Sequence, residues 1–279
     1  MKIDAKAISE KYYEKAKELL NVSGLPKTLA IVTVGNDESS KVYVERKKVK
    51  CEECGALYRH IQLSEKIDLN TLKRVIRDLN DDANVDGIII QKPLPKHLLA
   101  YDTEINNLVD PDKDVDGLNP SSIFVPCTPY GVLKLLTETK INLEGKFVVI
   151  AGRSNLVAKP LANLLMKFDC TVVMIHTKTP KDLVKQLISN CDIFISSIGK
   201  PHYWTSEYLN LTPINIAHKT FITPKKKIAL IDVGITRTEE GLKGDISPEC
   251  YGVADWHTTV PGGVGLTTVA MLMYNLSLT

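Results

Sequence analysis

The sequence predicts an α/β protein built on parallel sheets in two domains. Three observations lead there. Short β-branched runs alternate with polar stretches of helical period. One run, 146–151 (KFVVIA), ends on a glycine turn that opens a helix. A polar, proline-rich stretch over 110–129 interrupts the alternation and marks a domain boundary near residue 129.

The elements follow in order. Residues 29–34 (LAIVTV) read as a buried strand stopped by Gly35. Ser39 or Ser40 then offers an N-cap for a helix running to about Gly55. Residues 69–80 read as a helix, with Val42 and Val49 of the preceding helix expected on its core side. Residues 86–91 (DGIIIQ) read as a strand stopped by Lys92-Pro93-Leu94-Pro95. Past the boundary, 146–151 is a strand, 159–168 a helix, 171–175 (TVVMI) a strand and 182–189 a helix. Strands at 192–196 and 228–232 and a last helix at 265–275 complete the pattern. Strands joined by helices of this length require parallel pairing with crossovers.

Composition excludes several classes. With 279 residues, 44% of them hydrophobic and 24% charged, the chain can bury a large core and is not disordered. A net charge of +2 gives no bulk electrostatic case for nucleic acid or an anionic membrane. No apolar run is long enough to span a bilayer, and the first twenty residues carry acids and no apolar signal core. A cytoplasmic protein is expected. Cys51 and Cys54 form a lone CxxC with no second pair and no histidine at zinc-like spacing, so they read as ordinary helix positions and no metal is expected.

Four segments can carry chemistry. The first is the turn Gly152-Arg153-Ser154 after 146–151, where free backbone N–H groups at a helix start bind anions. It is not GxGxxG. Arg153 there, with Thr177 and Lys178 at the end of 171–175, suits a ribose 2′-phosphate, or else these are solvated loop charges. The second is Tyr43 and Lys47, four apart on one helix face: an aromatic plate beside an amine suits a flat heteroaromatic substrate needing proton transfer. A solvated basic face is the alternative. The third pairs Gln91, at a strand end, with Asp116 in the Asp114-Val115-Asp116-Gly117 loop, whose carboxylate can accept from an amino-pyrimidinone edge. The fourth is Pro261-Gly262-Gly263, which opens the last helix.

Together and in order, VGNDESSKVYVERKKVKCEECG, DGIIIQKPLP, DPDKDVDGLNP, VPCTPYGVLKLL, GKFVVIAGRSNLVAKPLANLL, TVVMIHTKT, CDIFISSIGKP, IDVGI, GDIS and TVPGGVGLTTVAML resemble the methylenetetrahydrofolate dehydrogenase/methenyltetrahydrofolate cyclohydrolase family. The resemblance implies two α/β domains with a catalytic cleft between them: 1–128 with 262–279 as the folate-binding catalytic domain, and 129–261 as a Rossmann-like NAD(P)-binding domain. It implies that Lys47, Tyr43 and Gln91 are catalytic, Lys47 assisting water and Gln91 tuning it. Tyr43, Asp116, Gly262, Gly263 and Thr268 fall on folate-binding positions. Gly152, Arg153, Ser154, Thr177 and Val233 fall on positions that bind NADP, with NAD the lesser alternative. A homodimer through the cofactor domain is also implied. A dehydrogenase without the hydrolase, or a binding protein without catalysis, remains as a rival reading.

The chain departs from the family's pattern in places. The loop between Asp116 and Pro126 is shorter, and the stretch between Pro201 and Ile228 is longer. Lys92 stands where leucine is usual, Ala158 where glycine is usual, and Thr259 and Leu266 replace prolines.

Overall fold

The computed structural model describes residues 1–22, 24–209, 214–216, 219–221 and 228–279. The chain divides into two compact units, one of Ser9–Cys127 with Val269–Thr279 and one of Met1–Ile8 with Thr128–Thr268. Where the sequence assigns residues 1–8 and 262–268 to the folate-binding domain, contact places them with 128–261. The reason is local: Lys2 bridges in parallel to His257, and Ile3 and Ala5 are buried in the same core as Val148 and Ile195.

In the first unit, β1 (Thr28–Val34) is the centre of a three-stranded parallel sheet ordered β2-β1-β3, with β2 at Leu57–Leu63 and β3 at Gly87–Ile90. Val32 sits between Ile61 and Ile90 in register. Helices α1 (Ala5–Val22), α2 (Glu38–Glu53), α3 (Leu69–Asp81) and α4 (Asp102–Leu108) accompany it. Asp68 caps α3 by accepting from Thr71 N at 3.0 Å, and Leu72, Ile76 and Leu79 bury one face against β1 and β3 residues. Because α2 begins at Glu38, Ser39 and Ser40 lie in its first turn rather than at its N-cap, and their side chains lie outside what the structure describes.

In the second unit, α5 (Cys127–Glu138) starts inside the proline-rich stretch, with Pro129 in its first turn, where its missing N–H costs nothing. Five parallel strands follow: β4 (Phe147–Ala151), β5 (Thr171–Ile175), β6 (Ile193–Ser196), β9 (Ala229–Asp232) and β12 (Trp256–His257), ordered β12-β9-β6-β4-β5. The intervening β7 (Ile214–Ile216) and β8 (Lys219–Phe221) pair antiparallel, as do β10 (Thr236–Thr238) and β11 (Gly241–Lys243). From β4 the chain runs outward to β5, then crosses back over β4 to β6. Its direction reverses between β4 and β6, and in such sheets ligands bind outside the carboxyl ends at that reversal. Helix α6 (Ala158–Met166) buries Leu161 and Leu165 and α7 (Lys181–Asn190) buries Val184 and Ile188. The last helix is α8 (Val264–Leu276). No helix among the described residues is long and apolar enough to cross a membrane.

Candidate functional site

The first candidate centre lies on α2 of the first unit. Its buried stripe runs Val44, Lys47, Cys51, Cys54, while Val42 and Val49 are exposed. The expectation that those two valines hold the helix to its core is therefore corrected: helical spacing puts Lys47, not either valine, on the inward face. An amine buried to 9% exposure needs a partner. Lys47 Nζ has one in Gln91 Oε1 at 2.9 Å. Gln91, just past β3, is fixed in turn by its own Nε2 donating to Lys92 O at 2.8 Å. That bond settles which end of the amide faces the lysine. Tyr43, half-buried, is one turn before Lys47 on the same side of the helix.

Asp116 belongs to the same neighbourhood. The buried Cys127 thiol is pushed well up, by burial first and then by the Asp116 carboxylate, while Lys47 acts against the rise. Burial pulls the Lys92 ammonium down, against the Asp102 carboxylate that pairs with it and the more distant Asp116. The structure thus brings Lys47, Gln91 and Asp116 around Cys127 and Lys92. Neither of these last two was singled out for a role from the sequence, although Lys92 stood out as a departure. A cavity of about 610 Å³ opens beside this cluster, lined by Gly35, Lys41, Val44, Tyr58, Gln91 and Pro93 among others. Tyr43 and Lys47 are not on its wall. The CxxC thiols are core groups: burial raises Cys51 to about 12 and Cys54 to about 11, and no metal-binding cluster occurs among the described residues.

The second candidate centre lies at the carboxyl ends of β4, β5 and β6. A cavity of about 320 Å³ there is lined by Gly152, Arg153, Thr177, Lys181, Ser197 and Tyr203 among others. Gly152 has φ +131°, and a Cβ on it would lie 2.6 Å from Ser197 Oγ, so the turn against the loop after β6 calls for glycine. Ser154 Oγ accepts from Val157 N at 3.2 Å and Ala158 N at 3.3 Å, covering two donors at the start of α6. A hydroxyl that only accepts still has its own proton to give to a phosphate. Arg153 and Thr177 are exposed on the rim. Val233, after β9, donates its N–H to Ser196 O at 2.8 Å and does not line the cavity.

Gly262 and Gly263 form the turn before α8, and Thr268 ends the second unit, its hydroxyl donating to Val264 O at 3.1 Å. They belong to the second unit, and Lys47 to the first.

Behind the second cavity stand two buried acids that the sequence showed only as motif letters. Asp245 accepts from Ser196 Oγ at 2.7 Å, Ile198 N at 2.7 Å and Lys200 N at 2.8 Å, fixing the loop after β6. Asp232 accepts from Asp245 N at 3.0 Å and Ile246 N at 2.9 Å. A Cβ at Gly244 would lie 2.1 Å from Asp232 Oδ2, which explains the glycine of GDIS. Burial, with the nearby Asp245, raises Asp232 to about 7 from 3.8. The folded state then holds more protons than the unfolded between those values, so this group's contribution to stability falls as pH rises through that window. Melting of the wild type against Asp232→Asn from pH 8 to pH 5 should show the wild type gaining on the variant, by up to about 1.4 kcal/mol per pH unit. A difference constant with pH would contradict it.

Residues 3–116 match the model of the tetrahydrofolate dehydrogenase/cyclohydrolase catalytic domain, and 126–279 that of its NAD(P)-binding domain. The "Bifunctional protein FolD" of Agathobacter rectalis is 38% identical over 287 residues, covering 98% of this chain and 96% of the relative. The crystal structure of the bifunctional FolD enzyme, methylenetetrahydrofolate dehydrogenase/cyclohydrolase, from Campylobacter jejuni aligns with a TM-score of 0.89 at 35% identity, covering 100% of this chain and 97% of that one. The Trypanosoma brucei enzyme, solved with NADP cofactor and an inhibitor, aligns at 0.85 and 28% identity, covering 99% and 95%. This chain belongs to the tetrahydrofolate dehydrogenase/cyclohydrolase family.

Proposed function

We propose that this chain oxidises 5,10-methylenetetrahydrofolate to the 5,10-methenyl form with NADP and then hydrolyses that to 10-formyltetrahydrofolate. The observation that supports it most is the Lys47–Gln91 contact of 2.9 Å inside a buried site. Gln91, itself fixed by its bond to Lys92 O, holds Nζ in one place, and a positioned amine is the kind of group that assists proton transfer from water. Water attacks the methenyl carbon as Lys47 takes one of its protons; the bond from that carbon to N5 then breaks, the remaining hydroxyl proton passes to N5, and the formyl group stays on N10. Tyr43 offers a face for the pterin, and Asp116 two acceptors for its amino-pyrimidinone edge. Gly262, Gly263 and Thr268 complete the folate contacts in this proposal.

Gly152, Arg153, Ser154, Thr177 and Val233 are the proposed cofactor residues. The cofactor, when bound, supplies the hydride acceptor. The chain's part is to hold it: the Gly152 backbone and the Ser154 hydroxyl for the phosphates, Arg153 and Thr177 for the 2′-phosphate. In this proposal 1–128 with 262–279 bind folate and 129–261 bind NADP, apart from the residues that contact reassigns. A homodimer, which rests on the family resemblance, and a cytoplasmic location complete the proposal.

The test is an assay of the purified protein with 5,10-methylenetetrahydrofolate and NADP or NAD. Reduced cofactor should form with NADP while methenyltetrahydrofolate does not build up. Accumulating methenyl product would reduce the reading to a lone dehydrogenase, and no turnover would overturn it. Arg153→Ala should raise the KM for NADP by about tenfold or more, the worth of one charge-assisted hydrogen bond, and leave NAD nearly unchanged. Equal losses for both cofactors would remove Arg153 from 2′-phosphate recognition.

A further inference from the structure

Residues after Pro201 open the stretch in which this chain is longer than its family's pattern. Residues 210–213, 217–218 and 222–227 of that stretch lie outside the described residues, and 202–209, at its beginning, lie within them. We propose that Tyr203 and Tyr208, at that beginning, form the aromatic wall against which the adenine base of the dinucleotide packs. The proposal rests on the reading of the second cavity as the dinucleotide site.

Placement is the first argument. Both tyrosines and Trp204 line the 320 Å³ cavity together with Gly152 and Thr177. The end of the second strand of a doubly wound sheet is where the ribose next to the adenine lies, and β5 is that strand. An acid there would bind a free ribose hydroxyl pair. Here the residues are His176, Thr177, Lys178 and Thr179, which suit a phosphorylated ribose instead. The base attached to that ribose must then lie against a neighbouring wall, and the loop after β6 supplies an aromatic one.

Ring geometry is the second. Tyr203 and Tyr208 stack with centroids 5.6 Å apart at 26°. Trp204 meets both edge-on, at 4.9 Å and 5.3 Å. Tyr203 remains 39% exposed, a large amount of open aromatic surface in a cavity wall. Lys200 lies over it, its Nζ 5.3 Å from the ring centroid. That lysine is exposed, where a cation–π contact is weak, so a base displaces it readily and its ammonium stays at hand for a phosphate.

Anchoring is the third. Trp204 is 4% exposed and packs edge-to-face on Phe194 of β6 at 5.1 Å. Its Nε1 donates to Ser196 Oγ at 2.8 Å, its N–H to Asp245 O at 3.0 Å, and its carbonyl accepts from Ser247 N at 2.8 Å. The wall is therefore tied to the carboxyl end of β6 before any ligand arrives, which lowers the ordering cost of binding.

The test is calorimetric titration of the full chain with two probes, adenosine 2′,5′-bisphosphate and nicotinamide mononucleotide. Tyr203→Ala/Tyr208→Ala should weaken the bisphosphate by about tenfold or more, as loss of base stacking does, and leave the mononucleotide unchanged. Tyr203→Phe should bind like the wild type, because the ring and not the hydroxyl carries the contact. Melting of each variant checks that the anchored loop survives. A folded double variant that binds the bisphosphate within about twofold of wild type overturns the proposal. Arg153→Ala separates the two readings. If it weakens the bisphosphate while the tyrosine variants do not, the cavity is the dinucleotide site and the aromatic wall is not its adenine contact. If neither change matters, both readings fall.

Discussion

Lys47→Met is expected to slow hydrolysis of methenyltetrahydrofolate by about 10²- to 10⁴-fold, the usual worth of a positioned proton acceptor. Methionine keeps the length and apolar stem of the lysine, so the volume at a position only 9% exposed is nearly preserved. What disappears is Nζ and its 2.9 Å contact with Gln91 Oε1. Gln91 keeps its bond to Lys92 O, so the loop after β3 is still held and the loss reads on chemistry more than on folding. The dehydrogenase step depends mainly on the alignment of two bound groups and should fall much less. Lys47→Arg should keep a donor for Gln91 and not restore the rate, because a guanidinium cannot act as a base at neutral pH. Single-turnover hydrolysis of methenyltetrahydrofolate, followed by loss of its absorbance, measures this directly. Undiminished hydrolysis by a folded Lys47→Met protein would remove Lys47 from the mechanism.

The strands of both sheets are legible where burial on both faces demands an unbroken apolar run. Residues 29–34, 146–151 and 192–196 announce themselves, and the strands found there, β1, β4 and β6, are buried along nearly their whole length in parallel sheets. Strand β2 does not. Its LYRHIQL is an edge strand with four of seven positions exposed, and only pairing with β1 makes it a strand. Helix α2 shows the same limit at the site. Counted as a composition, Lys41 to Lys50 is a solvated basic face; in three dimensions one of those lysines is the buried member of the stripe. Only the family's pattern distinguishes it in sequence, because its partner Gln91 is 44 residues away. Asp232 and Asp245 are less legible still. Each is one acid in an ordinary-looking segment, and its meaning depends on β6 and β9 being neighbours in the sheet.

Asp245→Ala is expected to destabilise the second unit by about 3–5 kcal/mol and to abolish high-affinity cofactor binding with it. Asp245 is fully buried and accepts from three donors on the segment after β6: Ser196 Oγ, Ile198 N and Lys200 N. Removing the carboxyl group leaves those donors facing a hole. Each unsatisfied buried donor costs about 1–3 kcal/mol, and partial entry of water at Ile198 and Lys200, which are not fully buried, recovers some of that. The remaining consequence is functional. Ile198, Lys200, Tyr203 and Trp204 all line the second cavity, and Ser196, once freed from Asp245, no longer fixes the indole N–H of Trp204. A wall built to meet the cofactor becomes a wall that must be ordered by it, so affinity falls even in the molecules that stay folded. Asp245→Asn should lie between the two, since it keeps one acceptor oxygen and places an NH₂ against a donor. Urea unfolding gives the stability change, and titration with NADP below the transition gives the binding change. An Asp245→Ala protein with the wild-type midpoint and wild-type NADP affinity would mean that the loop after β6 is held by its apolar contacts alone.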